Sequence, residues 1–391
     1  MMKTIDFKNL LTPARSNIGS DVHKQLLSLR NIKALESIVH ANEEEENLNW
    51  LGEAIVLLKT CDATERDHVL NTPYVYLWIA RYEGFPSMDE TEKQTWLWNG
   101  FVHIFLQLNI KGNHALENAE LQFIVKPKDL FFMKDVTGNQ ASKEILVIIE
   151  NNHITFEVEN VLYHFNAQEF HKAMNGPFIT NEVFWFEEYV NIASTAELRM
   201  NMETADIVSE DIKKSFEEAL QLIKITWPEM FDEIDGNIGN IVFFNPPGLP
   251  FFSDFRVHGT IFACHVTRPV VKIAEWIIHE ASHNRLNTLM CARPHLFNDM
   301  KPIYTSPWRD ELRPLYGIYH GCYVHCRVLH FYRLLEQNRA TYNDVSIEAE
   351  IERIGKELQL GLSTIKDHAS LSPDGELLVH DMQSLVMADS D

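Results

Sequence analysis

The amino-acid sequence predicts an α+β fold that is predominantly helical and carries a small antiparallel sheet. Apolar residues recur at helical spacing through much of the first and last thirds of the chain, which is typical of amphipathic helices. Between residues 144 and 166, three short runs rich in β-branched and aromatic residues are separated by turn-forming residues. With 391 residues, 45% of them hydrophobic, the chain can bury a sizeable core. We therefore expect one large domain or two to three small ones.

The first predicted region, residues 1–130, is mainly helical. An acidic run from Glu43 to Glu46 falls within it, and we expect a solvated loop or helix end there. The apolar spacing predicts helices near residues 20–41, 48–60, 73–83 and 89–108.

The second predicted region, residues 131–200, contains the small sheet. Asn151-Asn152 and Glu159-Asn160 are residues that favour turns, and each pair lies between two strand-like runs. A small antiparallel meander is the simplest arrangement of such runs. The predicted strands are residues 145–149, 154–158 and 161–165.

The third predicted region, residues 201–391, begins with a helix near 207–224 and continues with strands at 241–244 and 259–266. The second of these strands leads within a few residues into an apolar helix that starts near Pro269. This strand could hold an extended peptide through main-chain hydrogen bonds, or it could lie buried inside a sheet. The sequence leaves both interpretations open.

Two further helices are predicted in this region, over about 314–337 and 346–367. Cys322 and Cys326 lie four apart on the first, so they form neither a zinc knuckle nor a redox pair. We expect both as small helix-face residues, and the odd total of five cysteines indicates reduced thiols. The three regions can also form one continuous compact unit.

The charge of the chain limits its partners. The net charge is −22 and the isoelectric point about 5.2, so we expect no nucleic-acid partner, because an acidic chain repels phosphate backbones. The sequence opens with no signal pattern and contains no apolar run of membrane-spanning length. We therefore expect a cytoplasmic protein with no membrane partner, and a homodimer stays open.

The string His279-Glu280-Ala281-Ser282-His283 carries the strongest chemical signal in the chain. Residues four apart on a helix project from the same face, so His279 and His283 can bind one divalent metal ion. Glu280, between them, can reach a metal-bound water. Apolar residues at near-helical spacing on both sides support a helix through the string. We predict a zincin-like metal-site helix, and the alternative is a pair of core histidines.

A catalytic metal site needs at least a third protein ligand and keeps an open position. Asp310 and Glu311 are better interpreted as acids that complement the dipole at the start of the predicted helix 314–337. We expect His320 to be the third ligand, with a core histidine as the alternative. The candidates downstream of the motif are Asp299, Asp310, Glu311, His320 and His325.

His320 shares one predicted stripe with residues that suit an anionic co-substrate, whereas His325 lies off that stripe. An arginine about two turns away on either side of the histidine could bind a carboxylate, and Gly317 allows close approach. Arg313 is the first choice for this role, followed by Arg327 and Arg309. The stripe consists of Arg313, Gly317, His320, Val324 and Arg327.

These blocks of sequence together resemble a known family. The chain is similar to the HExxH-motif proteins that are encoded beside ribosomally synthesised and post-translationally modified peptides. The resemblance covers the chain from about residue 255 onwards, and the N-terminal half gives no independent match. It is carried by the motif 279–283, Ser306-Pro307-Trp308-Arg309, Arg313-Pro314-Leu315 and Gly317-Ile318-Tyr319-His320-Gly321.

The resemblance implies an iron(II)- and 2-oxoglutarate-dependent dioxygenase that hydroxylates a β-carbon in a ribosomal precursor peptide during natural-product biosynthesis. It implies His279, His283 and His320 as iron ligands, and the arginines of the second block as the 2-oxoglutarate site. Glu280 would then orient a ligand or a water. The N-terminal helices could bind a leader peptide, contact a second subunit or complete the core.

Two other classes of function compete with this expectation. A zinc metallopeptidase would use the same helix, with Glu280 as the general base for a zinc-bound water. Its close-spaced third histidine is absent, since position 289 is Leu289, but a carboxylate ligand stays open. The other class is a non-catalytic peptide-binding protein with a vestigial motif. An all-histidine set with nearby arginines favours the hydroxylase. The carboxylates open to the peptidase are Asp299, Asp310 and Glu311.

Overall fold

The architecture is known for most of the C-terminal half and for parts of the N-terminal half. The computed structural model describes residues 20–41, 55–56, 58–60, 63–82, 121–125, 145–150, 153–158, 161–165, 178–180, 183, 186, 189–190, 203–205, 208–245, 251–264, 267–338 and 346–387.

Three helices come from the N-terminal region: α1 (Ser20–His40), α2 (Ala63–Leu70) and α3 (Pro73–Tyr82). The structure confirms the predicted helices near 20–41 and 73–83, and α2 is an addition to them. Asn31 of α1 donates a hydrogen bond to the carbonyl of Leu70 (2.7 Å), which ties α1 to the end of α2.

The remaining N-terminal predictions are tested only in part. Residues 55–56 and 58–60 are helical, in agreement with the predicted helix over 48–60. The acidic run 43–46 and the predicted helix over 89–108 lie outside the described residues.

The predicted antiparallel meander is confirmed and has one further strand. Each strand pairs antiparallel with the next, and the register of β2 with β3 places Ile149 opposite Ile154. The added strand β1 pairs with β2 along its whole length. The strands are β1 (Leu121–Val125), β2 (Ile145–Glu150), β3 (His153–Val158) and β4 (Val161–Phe165).

A helical pair, α4 (Glu210–Thr226) and α5 (Pro228–Asn237), opens the C-terminal region, and α4 confirms the helix predicted near 207–224. Ser209 caps α4, because its hydroxyl accepts a hydrogen bond from the backbone N–H of Ile212. Pro228 begins α5, where its missing N–H is not needed.

A second sheet lies beside the motif helix and is mixed rather than antiparallel. Its order is β5-β7-β9-β8, and β6 also pairs with β7. The pairs β5–β7 and β7–β9 are parallel, whereas β6–β7 and β8–β9 are antiparallel. The strands are β5 (Ile179–Thr180), β6 (Glu203–Thr204), β7 (Asn240–Asn245), β8 (Phe251–Phe252) and β9 (Thr260–Cys264).

Strand β9 decides between the two interpretations of the predicted strand at 259–266. It pairs with β7 on one side and with β8 on the other, and all five of its residues are buried. A strand with partners on both sides cannot bind a peptide along a free edge. The interpretation of β9 as a peptide-binding edge is therefore wrong, and the buried sheet strand is confirmed.

The motif helix is α6 (Val270–Ala292), and it lies at the centre of the C-terminal region. Pro269 precedes its first residue, and Ile273, Ile277 and Leu289 belong to its buried face. This helix packs against α1, α4 and β9. The N-terminal helix α1 therefore completes the packing around the helix that carries the motif.

A two-stranded hairpin, β10 (Tyr304–Ser306) and β11 (Arg309–Arg313), follows α6 and corrects part of the sequence interpretation. Asp310 and Glu311 are exposed residues of β11, so their interpretation as acids at a helix N-terminus is wrong. Arg313 also belongs to the strand, and the helical stripe therefore starts no earlier than the next helix. The physical reason is the pairing of Tyr304 with Arg313, which keeps the backbone extended up to Pro314.

Three helices complete the C-terminal region: α7 (Leu315–Gln337), α8 (Ile347–His368) and α9 (Pro373–Met387). The first two confirm the helices predicted over 314–337 and 346–367, and α9 is an addition. Cys322 and Cys326 are buried in α7, as expected for small helix-face residues.

A buried ionic cluster joins α5, α6 and α7. Glu233 of α5 pairs with Arg285 of α6 and, at 2.8 Å, with Arg327 of α7. Arg327 is fully buried and also donates to the hydroxyl of Tyr323 (3.1 Å). Burial alone would raise the pKa of Glu233, but the two guanidinium groups hold it below its ordinary value. The charged carboxylate therefore links three helices.

No helix in the described ranges is both long enough and apolar enough to cross a membrane.

Replacing Glu233 with Ala is expected to lower the free energy of unfolding by about 3–5 kcal/mol, because it leaves two buried guanidinium groups without their carboxylate. Glu229→Ala, at an exposed position of the same helix, is the matched control and should change stability by about 0.5 kcal/mol or less. Urea unfolding of both variants measures the difference. Equal stability of the two would show that the cluster does not hold the helices together.

Candidate metal centre

Helix α6 places the two motif histidines one turn apart on one face, as the sequence predicts. The ring centroids of His279 and His283 are 5.0 Å apart, with the ring planes at 68°. Burial lowers the pKa of His279 well below its ordinary value, and burial with the charge of Arg309 lowers the pKa of His283 to about 4. Both imidazoles are therefore neutral at pH 7, which is the form that binds a metal ion.

Helix α7 brings the predicted third ligand, His320, against this pair. Its Nδ1 lies 3.4 Å from Nδ1 of His283, and the two rings are nearly parallel. The ring of Tyr316 packs on His320 with centroids 4.3 Å apart. Burial lowers the pKa of His320 well below its ordinary value, so it too is neutral.

A fourth histidine, His325, joins the cluster although it lies off the predicted stripe. Its ring is perpendicular to that of His279, with centroids 5.2 Å apart. Five residues turn a helix through about 140° from His320, so helical spacing alone places His325 on another face. Helix α6 packs so that His283 faces His320 and His279 faces His325. Only the packing of the two helices reveals the fourth member.

The hydrogen bond of His325 fixes its tautomer. Its Nδ1 lies 2.8 Å from the carbonyl oxygen of Gly321, and a carbonyl can only accept, so Nδ1 carries the proton. Nε2 of this ring then has a free electron pair. Metal-ligating histidines commonly donate their other ring N–H in the same way. Burial lowers the pKa of His325 to about 4, which keeps the ring neutral.

Glu280 is buried and turns its carboxyl group towards β8 and the residues after it. Ser253 donates a hydrogen bond from its hydroxyl to Oε2 of Glu280 (2.8 Å). Oε1 of Glu280 lies 4.0 Å from Nε2 of His279. Burial raises the pKa of Glu280 to about 7, against the opposing effect of the Ser253 hydrogen bond. No sequence pattern points to Ser253, because it lies 27 residues before Glu280.

The imidazole donors have the chemistry of a metal site, but their nitrogen atoms do not all point to one position. Across the described ranges, no group of three or more His, Cys, Asp or Glu side chains is arranged to hold a metal ion. The predicted ligands are nevertheless neighbouring neutral imidazoles, a donor type that suits both iron and zinc. Nε2 of His320 is buried and has no hydrogen-bond partner among the described residues, as expected of a nitrogen kept for another ligand.

The three predicted arginines lie in different surroundings. Arg309 begins β11, is exposed, and its positive charge helps to lower the pKa values of His279 and His283. Arg313 lies beside Gly317, because a Cβ added at Gly317 would be 3.4 Å from Nε of Arg313. Arg327 is held by Glu233 in the buried ionic cluster.

Of the carboxylates that a peptidase could use as a third ligand, Asp299 is paired with Lys301 at 2.7 Å and largely exposed. Asp310 and Glu311 are exposed in β11. The histidines are therefore the better-placed donors in the part of the chain that the structure describes.

Comparison with known proteins gives no family for this chain. The sequence matches no protein-family model and no curated protein. Function must therefore be inferred from the histidine cluster and from the blocks of sequence around it.

The buried carboxyl of Glu280 predicts a pH-dependent effect of Glu280→Gln in protein stripped of metal. A glutamate whose folded-state pKa is raised from 4.5 to about 7 destabilises the fold progressively as the pH rises through this window. The variant should therefore gain stability relative to the unmodified protein, reaching about 3 kcal/mol above pH 7. Urea unfolding at pH 4.5 and 7.5 measures this gain, with the exposed Glu376→Gln as control. A gain that is the same at both pH values would contradict the raised pKa.

Proposed function

We propose that this protein is an iron(II)- and 2-oxoglutarate-dependent dioxygenase that hydroxylates a β-carbon of a ribosomal precursor peptide in the cytoplasm, during natural-product biosynthesis. The observation that supports it best is the meeting of His279, His283 and His320, from two helices, as neighbouring neutral imidazoles, of which His320 is buried and the two motif histidines are partly buried. Three histidines leave coordination positions for a chelating co-substrate and for oxygen. The resemblance around these residues supplies the reaction class.

In this proposal the histidines hold the iron and the arginines hold the co-substrate. When bound, iron(II) with 2-oxoglutarate supplies an oxidant for an unactivated carbon, and succinate and carbon dioxide are the co-products. Arg309 and Arg313 are the arginines proposed for the co-substrate carboxylate, because the guanidinium of Arg327 is engaged by Glu233. A planar guanidinium matches a carboxylate with two parallel hydrogen bonds.

Glu280 and its neighbours would orient the ligands and exclude water. The carboxyl group of Glu280 is within 4.0 Å of Nε2 of His279 and is fixed by the hydroxyl of Ser253. It can therefore orient a ligand or a water beside the metal without joining the reaction. The aromatic ring of Tyr316 covers His320 and shields that side of the cluster from solvent.

A zinc metallopeptidase is the second candidate, and one observation favours it. A carboxyl group with a pKa of about 7 is well suited to act as general base near neutral pH, and Glu280 has such a pKa. In that case Glu280 would deprotonate a metal-bound water for attack on a peptide bond. The two candidates thus assign opposite importance to the same side chain.

Anaerobic reconstitution with iron(II) separates the two candidates. The protein is incubated with 2-oxoglutarate and its cognate precursor peptide, oxygen is admitted, and the peptide mass and succinate are measured. The hydroxylase predicts the gain of one oxygen atom with stoichiometric succinate. Cleavage of the peptide by the zinc-loaded protein, without oxygen or 2-oxoglutarate, would instead establish the peptidase.

Removal of the third imidazole tests the ligand set. His320→Ala should reduce bound iron from stoichiometric to a small fraction, because only two histidines of the proposed ligand set remain. His380→Ala, at an exposed position of α9, is the control and should retain all of its iron. Metal analysis after gel filtration gives the stoichiometry, and circular dichroism confirms folding. Full iron content in His320→Ala would remove this residue from the ligand set.

A further inference from the structure

We infer that Trp308 is a positioning residue, whose indole is seated between two helices and holds the β10–β11 hairpin, with Arg309, against the histidine cluster through His325. The inference rests on the proposed function for its link to the metal. The anchoring of the hairpin by Trp308 does not depend on a metal.

Two glycines make the space that the indole occupies. A Cβ added at Gly321 of α7 would lie 2.5 Å from Cζ3 of Trp308. One added at Gly361 of α8 would lie 2.7 Å from Sγ of Cys322 and 2.8 Å from Cη2 of Trp308. Carbon atoms that are not bonded do not approach so closely, so any side chain at either position must displace the ring. The indole therefore lies where α7 and α8 both lack side chains. This slot fixes the ring on two sides.

The seated indole reaches the cluster through one histidine. It stacks on His325 with centroids 4.6 Å apart and planes at 13°. The ring of His325 in turn packs edge-on against His279, and its Nδ1 donates to the carbonyl of Gly321. The position of His325 is thus set by the glycine that also makes room for Trp308. A shift of the indole would free the ring that supports His279.

The same indole anchors the turn of the hairpin. Trp308 lies between β10 and β11, and its backbone N–H donates to the hydroxyl of Ser306 (3.2 Å). The next residue along the chain is Arg309, whose positive charge acts on His279, Glu280 and His283. Because β10 and β11 pair only with each other among the described strands, a side-chain anchor is needed to hold this short hairpin in place.

Four variants test the anchor. Trp308→Ala removes it, and Trp308→Phe keeps an aromatic ring that can still stack on His325. Gly361→Ala fills the slot. Gly355→Ala, on the same helix, is its matched control, since a Cβ at Gly355 meets nothing within 4 Å. Both glycine variants gain the same intrinsic helix propensity, so their difference reports the space beside Gly361, which the Trp308 indole shares with Sγ of Cys322.

Two measurements are made on each variant. The first is the rate of trypsin cleavage after Arg309 in metal-free protein, which reports opening of the hairpin; the bond after Arg313 resists trypsin because Pro314 follows it. We expect Trp308→Ala and Gly361→Ala to raise this rate about tenfold. The second is the dissociation constant for cobalt(II), a spectroscopic substitute for iron, which should rise about 10- to 100-fold in the same two variants. Trp308→Phe and Gly355→Ala should stay close to the unmodified protein in both.

The outcomes distinguish anchoring of the hairpin from an effect of Trp308 on metal binding. Unchanged cleavage in Trp308→Ala would overturn the anchor. Faster cleavage with unchanged cobalt binding would show a structural anchor only, and would overturn the positioning role. If the unmodified protein binds no cobalt(II), the proposed function fails, and the cleavage rates still decide whether Trp308 holds the hairpin.

Discussion

The buried link from Arg285 through Glu233 to Arg327 is the interaction on which the rest of the candidate centre depends. Arg285 follows His283 by two residues on α6, and Arg327 follows His325 by two residues on α7. One carboxylate from α5 therefore fixes the spacing of the two helices close to the point where their histidines meet. A buried ionic group of this kind adds little stability of its own, but breaking it is costly. Its value here lies in the relative position that it imposes on α6 and α7.

Burial around these helices gives the cluster its chemical character. The same low dielectric that lowers the pKa of the histidines raises that of Glu280, because in each case it penalises the charged form. The imidazoles are thus kept as electron-pair donors, and the carboxyl group is kept close to equal populations of its two forms at neutral pH. Arg309 adds a positive charge at the exposed side. A site with neutral donors inside and a cation at its edge suits an anionic co-substrate.

Sequence patterns predict the elements whose structure is decided locally. The helices α1, α4, α6, α7 and α8 and the strands β2, β3 and β4 follow from apolar spacing and turn residues. Residues 309–313 show the limit of that information. Asp310 and Glu311 suit the first turn of a helix, yet pairing with β10 holds them in a strand. The parallel pairing of β7 with β9 likewise depends on contacts that no local pattern contains.

The candidate centre likewise has residues that the sequence indicates and residues that only the tertiary structure brings in. The sequence by itself determines that His279 and His283 share one helical face, with Glu280 on the turn between them, because that relation depends only on a spacing of four residues. It also indicates His320 on a second helix. Only the tertiary structure decides that His325 joins them, that Ser253 binds Glu280 and that Arg327 turns to Glu233. The physical reason is that these contacts join residues 27 to 94 positions apart, and only the packing of helices and sheet brings them together.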